Sequence, residues 1–246
     1  MDSQVTPIAL TSLLYVICPA LLVALLLVRW SLDWRKAVYA LGRMLGQLLL
    51  VGYFLAWIFD NSTAWIVLGI LAVMVTASSW IALSSVEQGR LSLFPASFIA
   101  IVSGGGVMLL LVTQGVLDTQ PWYSPRHVIP LAGMIFANAM NAVSLAAERL
   151  ASEIDHGAAW PEARNMAMNA ALIPVTNALF AVGLVSLPGM MTGQILAGVD
   201  PFIAARYQIM VMCMIFASAG FSAALFLMLS RNRFSEPGTT ASRSDR

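Results

Sequence analysis

Four polar residues recur along one apolar stretch of the sequence: Asn138, Asn141, Ser144 and Glu148. Their spacings of three, three and four place the side chains on one face of a helix, and Met134 extends the same row. Lipid disfavours amide and carboxylate groups, so we expect the row to face the protein interior or a water-filled cavity. Two interpretations stay open: hydrogen bonds that hold helices together, or the lining of a path for a solute.

A second polar pair lies in an earlier apolar stretch, where Arg43 and Gln47 are four residues apart. An arginine at the bilayer centre costs about 2.5–3.5 kcal/mol, but one near a helix end can extend its guanidinium to the headgroups. Arg43 therefore either reaches that interface, pairs within the protein, or lines the path. The candidate path residues are Arg43, Gln47, Met134, Asn138, Asn141, Ser144 and Asn177.

Four methionines could contact a soft metal ion, because thioethers prefer cations such as copper(I) to hard cations. They are Met134, Met140, Met190 and Met191. Packing is the commoner role of methionine, so the sequence assigns no metal site. The two histidines, His127 and His156, fall in different predicted loops on opposite faces of the membrane and are not expected to pair.

The chain offers no phosphate-binding loop of its own. Its single lysine, Lys36, follows Trp34-Arg35 and not a glycine-rich segment, so we expect neither ATPase activity nor a bound cofactor. No Ser/His/Asp or paired-carboxylate arrangement indicates an enzyme. The net charge of +1 gives no electrostatic basis for binding nucleic acid.

The composition predicts that helices in a lipid bilayer position these residues. Of the 246 residues, 59% are hydrophobic and 10% are charged, whereas soluble domains carry about 25% charged residues. A crossing helix needs about 20 apolar residues, and seven stretches meet or approach that length. They span residues 8–28, 37–59, 64–83, 95–117, 128–150, about 170–187, and 207–229. We therefore predict an all-α transmembrane bundle of about seven spans.

The positive charges predict the orientation of this bundle. If all seven stretches cross, most positive residues share one side, and they are Arg29, Arg35, Lys36, Arg90, Arg149, Arg164, Arg231, Arg233, Arg243 and Arg246. The other side holds only Arg126 and Arg206. Positive loops favour the cytoplasm, so we predict an outside N-terminus and a cytoplasmic C-terminus. Residues 1–234 would form one membrane domain, followed by a disordered tail at 235–246.

The charged segment between the fifth and sixth stretches is a candidate contact for a partner protein. Pro161 can begin a short helix with Glu162 in its first turn. Glu153 and Gly157-Ala158 loosely resemble the acidic-Ala…Gly-Ala segment by which permeases of ABC transporters dock on their ATPase. An ordinary amphipathic connector is the alternative.

A Gly- and Pro-rich segment precedes the last stretch. Residues 189–199 are apolar but too short to span, so they could form a re-entrant or an interfacial piece. Asp200-Pro201 has the pattern of an N-cap and first residue that begin the final helix.

Residues 183–201 (GLVSLPGMMTGQILAGVDP) and 206–211 (RYQIMV) closely resemble the signature of the FetB-type permeases. Further matches include Gly42-Arg43, Ile129-Pro130 and Ala171-Leu172-Ile173-Pro174, and the resemblance extends from about residue 38 to residue 234. The signature positions in this chain are Pro188, Gly189, Met190, Met191, Gly193, Asp200, Pro201, Arg206, Tyr207 and Gln208.

The resemblance implies the permease subunit of an ABC transporter for iron export. It implies a homodimer in the inner (plasma) membrane, joined to P-loop ATPase subunits that bind the ATP. Iron rests on the resemblance alone, because acidic ligands for a hard cation are nearly missing from the predicted spans. The loop between the fifth and sixth stretches is shorter than in that family. The alternatives are a permease for a different small solute, a stand-alone secondary transporter, or a membrane scaffold that transports nothing.

Overall fold

The computed structural model describes residues 10–60, 63–86 and 89–234, and every regular element in these ranges is a helix. The all-α prediction is confirmed. The predicted tail at 235–246 lies outside the described residues. The helices are α1 (Leu10–Arg29), α2 (Trp34–Asp60), α3 (Ala64–Ala82), α4 (Arg90–Leu110, continued by a π-helical segment, Leu111–Val116), α5 (Pro125–Asp155), α6 (Trp160–Ala181), α7 (Gly189–Leu196) and α8 (Pro201–Phe234).

Six of these helices are long and apolar enough to cross a membrane: α1, α2, α3, α4 with its π-helical segment, α5 and α8. The stretch predicted at 170–187 has the wrong boundaries, because α6 begins at Trp160 and ends at Ala181. Pro161 stands in the first turn of α6, where its missing N–H costs no hydrogen bond. The helix ends where the chain turns through Gly183, whose φ of 84° favours glycine.

The chain divides into two compact units, residues 1–61 and 62–246. In the first unit, α1 packs against α2. The connection between them contains Asp33, whose Oδ1 accepts a hydrogen bond from the Lys36 backbone N–H at 3.1 Å.

The second unit has its core where α4, α5 and α8 meet. Fully buried side chains such as Ile101, Ile135 and Phe226 fill this core. Small residues bring the helices close together: a Cβ at Gly104 would lie 2.8 Å from the backbone N of Ser222. Such close approach strengthens packing between helices in lipid, where the hydrophobic effect gives no driving force for their association.

Candidate transport path and coupling turn

Two residues of the polar row on α5 line a small cavity in the second unit. Asn138 and Asn141 face α6 and α8 across a space of about 80 Å³. The space is open on one side, where Asn141 and Pro174 are exposed. The Asn138 amide Nδ2 donates to the carbonyl oxygen of Met134 at 2.8 Å, which leaves Oδ1 of Asn138 as an acceptor.

Pro174 of α6 lines the same cavity. A proline has no N–H, so the helix supplies no i+4 donor for the carbonyl of Ala170. The remaining wall is apolar, formed by small or branched side chains such as Ala171, Val175 and Ala219. The chemistry available here is therefore that of neutral oxygen atoms in an apolar surround.

The rest of the predicted row does not line this cavity. The Ser144 hydroxyl lies 3.3 Å from the Ser85 hydroxyl and links α5 to the turn after α3. Glu148 is exposed, and so is Asn177 of α6. Ser144 thus makes a hydrogen bond between elements, whereas a solute path lined by Asn138 and Asn141 stays a prediction.

A larger cavity, of about 250 Å³, lies at the N-terminal end of α5. It joins Met134 of the polar row to two signature residues, Met190 of α7 and Tyr207 of α8. The full lining is Leu117, Arg126, His127, Pro130, Leu131, Met134, Met190 and Tyr207. Sequence reasoning missed His127 as a neighbour of these methionines, although its spacing of seven from Met134 places both on one helix face.

The signature segment forms α7 and the start of α8. The short helix α7 confirms that residues 189–199 cannot span a bilayer. Asp200 caps α8 as predicted, since its Oδ1 accepts from the backbone N–H of Phe202 at 2.9 Å and of Ile203 at 3.3 Å. Gln208 is buried, and its Oε1 has no hydrogen-bond partner among the described residues.

Arg43 and Gln47 belong to α2 in the first unit. With the Gln47 amide oriented so that its oxygen faces the arginine, that oxygen accepts from Nε of Arg43 at 3.1 Å and from Nη2 at 3.3 Å. The predicted pairing on one helix face is therefore satisfied within α2 itself.

The predicted partner contact is a tight turn between two long helices. α5 continues to Asp155, and α6 begins at Trp160. Gly157 has a φ of 85°, its N–H donates to the carbonyl of Ile154 at 2.9 Å, and the N–H of Ala158 donates to that of Glu153 at 3.0 Å. This is a Schellman ending, which glycine favours. The short separate helix expected at Pro161 is wrong, because Pro161 lies in the first turn of the 22-residue α6.

We call residues 153–162 the coupling turn. Gly157, Pro161 and Glu162 are exposed at its tip, together with Asp155 and His156. Ile154, Ala158 and Trp160 instead pack against the core.

The predicted contact residue Glu153 is largely covered. Its carboxylate pairs with Arg149 at 2.6 Å, and its side chain is 15% exposed. Glu153 therefore stabilises the end of α5 and offers little exposed surface to a partner.

These features define a multi-pass helical membrane protein with cavities between its helices. The profile of the Uncharacterised protein family (UPF0014) matches residues 9–235, and the chain belongs to this family. The resemblance to FetB-type permeases is thereby confirmed.

Three relatives illustrate the family. The chain is 40% identical over 205 residues to a UPF0014 membrane protein of Synechocystis sp., covering 75% of this chain and 79% of the relative. It is 36% identical over 216 residues to the Probable iron export permease protein FetB of Escherichia coli, covering 81% and 82%. It is 30% identical over 200 residues to Protein ALUMINUM SENSITIVE 3 of Arabidopsis thaliana, covering 75% and 71%. No solved structure matches the chain significantly.

Proposed function

We propose that this chain is the permease subunit of an ABC transporter that exports iron, and that a separate P-loop ATPase binds and hydrolyses the ATP. The observation that carries the proposal is the similarity to the Probable iron export permease protein FetB across four fifths of both chains. We further propose a homodimer in the inner (plasma) membrane, with seven spans that include α6 and a cytoplasmic C-terminus. Lipid and the ATPase are then its partners.

The coupling turn supports the ATPase partnership because it is exposed and directly joins two long helices. Ser144 contacts Ser85 at the turn after α3, and α5 continues eleven residues beyond Ser144 to Asp155. At 1.5 Å per residue, the end of α5 lies about 17 Å past Ser144 along the helix. An acidic tip with Asp155 and Glu162 at this distance is accessible to a partner in the cytoplasm.

The same two helices connect the coupling turn to the small cavity. Asn141 lies fourteen residues before Asp155 on α5, and Pro174 lies on α6. A displacement of the turn would therefore move both cavity walls together. Neutral amide and carbonyl oxygens hold a divalent cation more weakly than carboxylates do, which suits a path from which the ion must leave.

Gly157 provides the test of the ATPase partnership. Tryptophan at position 157 would be strained by the positive φ and would place a bulky side chain at the exposed tip. Gly157→Trp should therefore abolish co-purification of the ATPase with the tagged chain. Gly157→Asn is the matched control, because asparagine tolerates this backbone conformation and is small, and it should retain the ATPase. If both variants insert into the membrane at normal yield and retain the ATPase equally, the coupling turn is not the docking site.

A further inference from the structure

The larger cavity brings possible metal ligands from two separate helices of the chain against one space. His127 and Met134 lie seven residues apart on α5, and Met190 comes from α7. In sequence, Met134 and Met190 are separated by more than fifty residues, so their convergence is a property of the fold. The space has a volume of about 250 Å³ and is open at the exposed His127.

The imidazole of His127 has an outer hydrogen-bond partner, as metal-binding histidines usually do. Its Nδ1 lies 3.2 Å from the hydroxyl oxygen of Ser124. When Nδ1–H donates to that oxygen, the lone pair is on Nε2, which is the nitrogen left for a ligand. An outer partner of this kind fixes the tautomer and ring orientation of histidines that bind metals.

We infer that this cavity is a binding site for a soft monovalent cation of the copper(I) or silver(I) type, held by the thioethers of Met134 and Met190 and by Nε2 of His127. Thioether and imidazole together select soft cations over Mg²⁺ or Ca²⁺, which require oxygen ligands. The cavity is large enough for a water molecule to complete the coordination. The inference concerns binding by this chain alone, so it holds or fails independently of the ATPase and of iron as cargo.

The charge of the lining sets the expected strength of binding. Arg126 lines the same cavity and makes an interaction of its own. No carboxylate lines the cavity among the described residues. Because the lining offers no anionic ligand, we expect moderate affinity.

The test is a silver(I) titration of the purified full chain in detergent. Cys18 and Cys213 are free thiols that would bind silver, so both are first replaced by alanine. In that background we expect one silver ion per chain, and no competition by excess Mg²⁺. Silver K-edge absorption should show two sulfur neighbours and one nitrogen neighbour.

Matched methionine variants locate the site. Met134→Leu and Met190→Leu conserve volume and should each weaken silver binding by about tenfold or more, as should removal of the outer hydroxyl in Ser124→Ala. Met140→Leu and Met168→Leu are the controls, because these methionines also pack against the core but lie outside the cavity, and they should leave binding unchanged.

Two results would overturn the inference. One is the absence of stoichiometric binding to the cysteine-free chain. The other is unchanged binding in a Met134→Leu/Met190→Leu double variant whose Tm matches that of the parent. If the double variant does not fold, silver binding by the His127→Gln variant decides the question, because this substitution changes an exposed residue at the end of α5. His127→Gln must also weaken binding, and unchanged binding would overturn the inference.

Discussion

The contact of Gly104 with Ser222 allows a sharp prediction about how the second unit is held together. An added Cβ at Gly104 would lie 2.5 Å from the Ser222 hydroxyl oxygen, 2.8 Å from its backbone N and 3.1 Å from its Cα. The backbone atoms belong to a buried part of α8 and cannot rotate away. Gly104→Ala must therefore push α4 and α8 apart.

Gly106→Ala provides the matched control, because a Cβ at Gly106 meets nothing within 4 Å. Both substitutions replace glycine by alanine inside α4, so the gain in helix propensity of about 1 kcal/mol is common to both. Overpacking costs about 1–3 kcal/mol and applies to Gly104 alone. We therefore expect the Gly104→Ala chain to be less stable than the Gly106→Ala chain by about 1–3 kcal/mol.

Thermal and denaturant unfolding in detergent, followed by tryptophan fluorescence, would measure this difference. Removing the Ser222 hydroxyl should not restore stability to Gly104→Ala, because the clash with the Ser222 backbone remains. Equal stability of the two glycine variants would refute the close approach of α4 and α8. Full rescue by Ser222→Ala would show that only the hydroxyl is in the way.

Three further perturbations test the site and its supports. Asp200→Ala should lower the stability of the chain by about 1 kcal/mol through loss of the α8 cap, whereas Asp200→Asn should retain most of it; equal losses in unfolding experiments would contradict the capping role. In the reconstituted transporter, Asn141→Leu should reduce substrate-stimulated ATP turnover. The control Asn169→Leu, at an exposed position of α6 outside the cavity, should not reduce it. Unaltered turnover in Asn141→Leu would mean that the polar row on α5 is purely structural. Glu153→Ala should lower the free energy of unfolding by only about 0.3–0.5 kcal/mol, through loss of the ion pair with Arg149. Glu162→Ala should weaken retention of the ATPase in pull-downs, because Glu162 is exposed. Weaker retention in Glu153→Ala with normal retention in Glu162→Ala would make Glu153 the docking residue.

Local signals in the sequence were sufficient for most helices and for some of their ends. Six apolar stretches correspond to helices able to cross a membrane, because length and composition determine that property. The cap formed by Asp200 and the first-turn position of Pro161 were predictable for a similar reason, since both depend on a few adjacent residues.

The boundaries of α6 depended on features that composition obscures. Its first half contains Glu162, Arg164 and Asn165, so an apolar window cannot detect that the helix already begins at Trp160. Its end depends on the positive φ of Gly183, and a glycine in an apolar stretch does not reveal its backbone conformation.

The two cavities could be predicted only in part. The helical periodicity of α5 predicted that Asn138 and Asn141 share one face. In the structure, this face contributes to a cavity that α6 and α8 also line. The periodicity could not show that Met190 of α7 reaches the same space as His127, because that contact depends on how distant segments pack. It also could not show that Glu153 is covered, because the ion pair with Arg149 depends on the side-chain rotamers as well as on the spacing of four residues.

In the proposed function, ATP hydrolysis by a partner ATPase moves iron through this chain. The most direct measurement is iron(II) transport in proteoliposomes that contain the chain and its cognate ATPase, with and without ATP. The proposal predicts iron movement that requires both the ATPase and ATP. Movement at the same rate without either of them, driven by an ion gradient, would instead identify a secondary transporter and contradict the proposal.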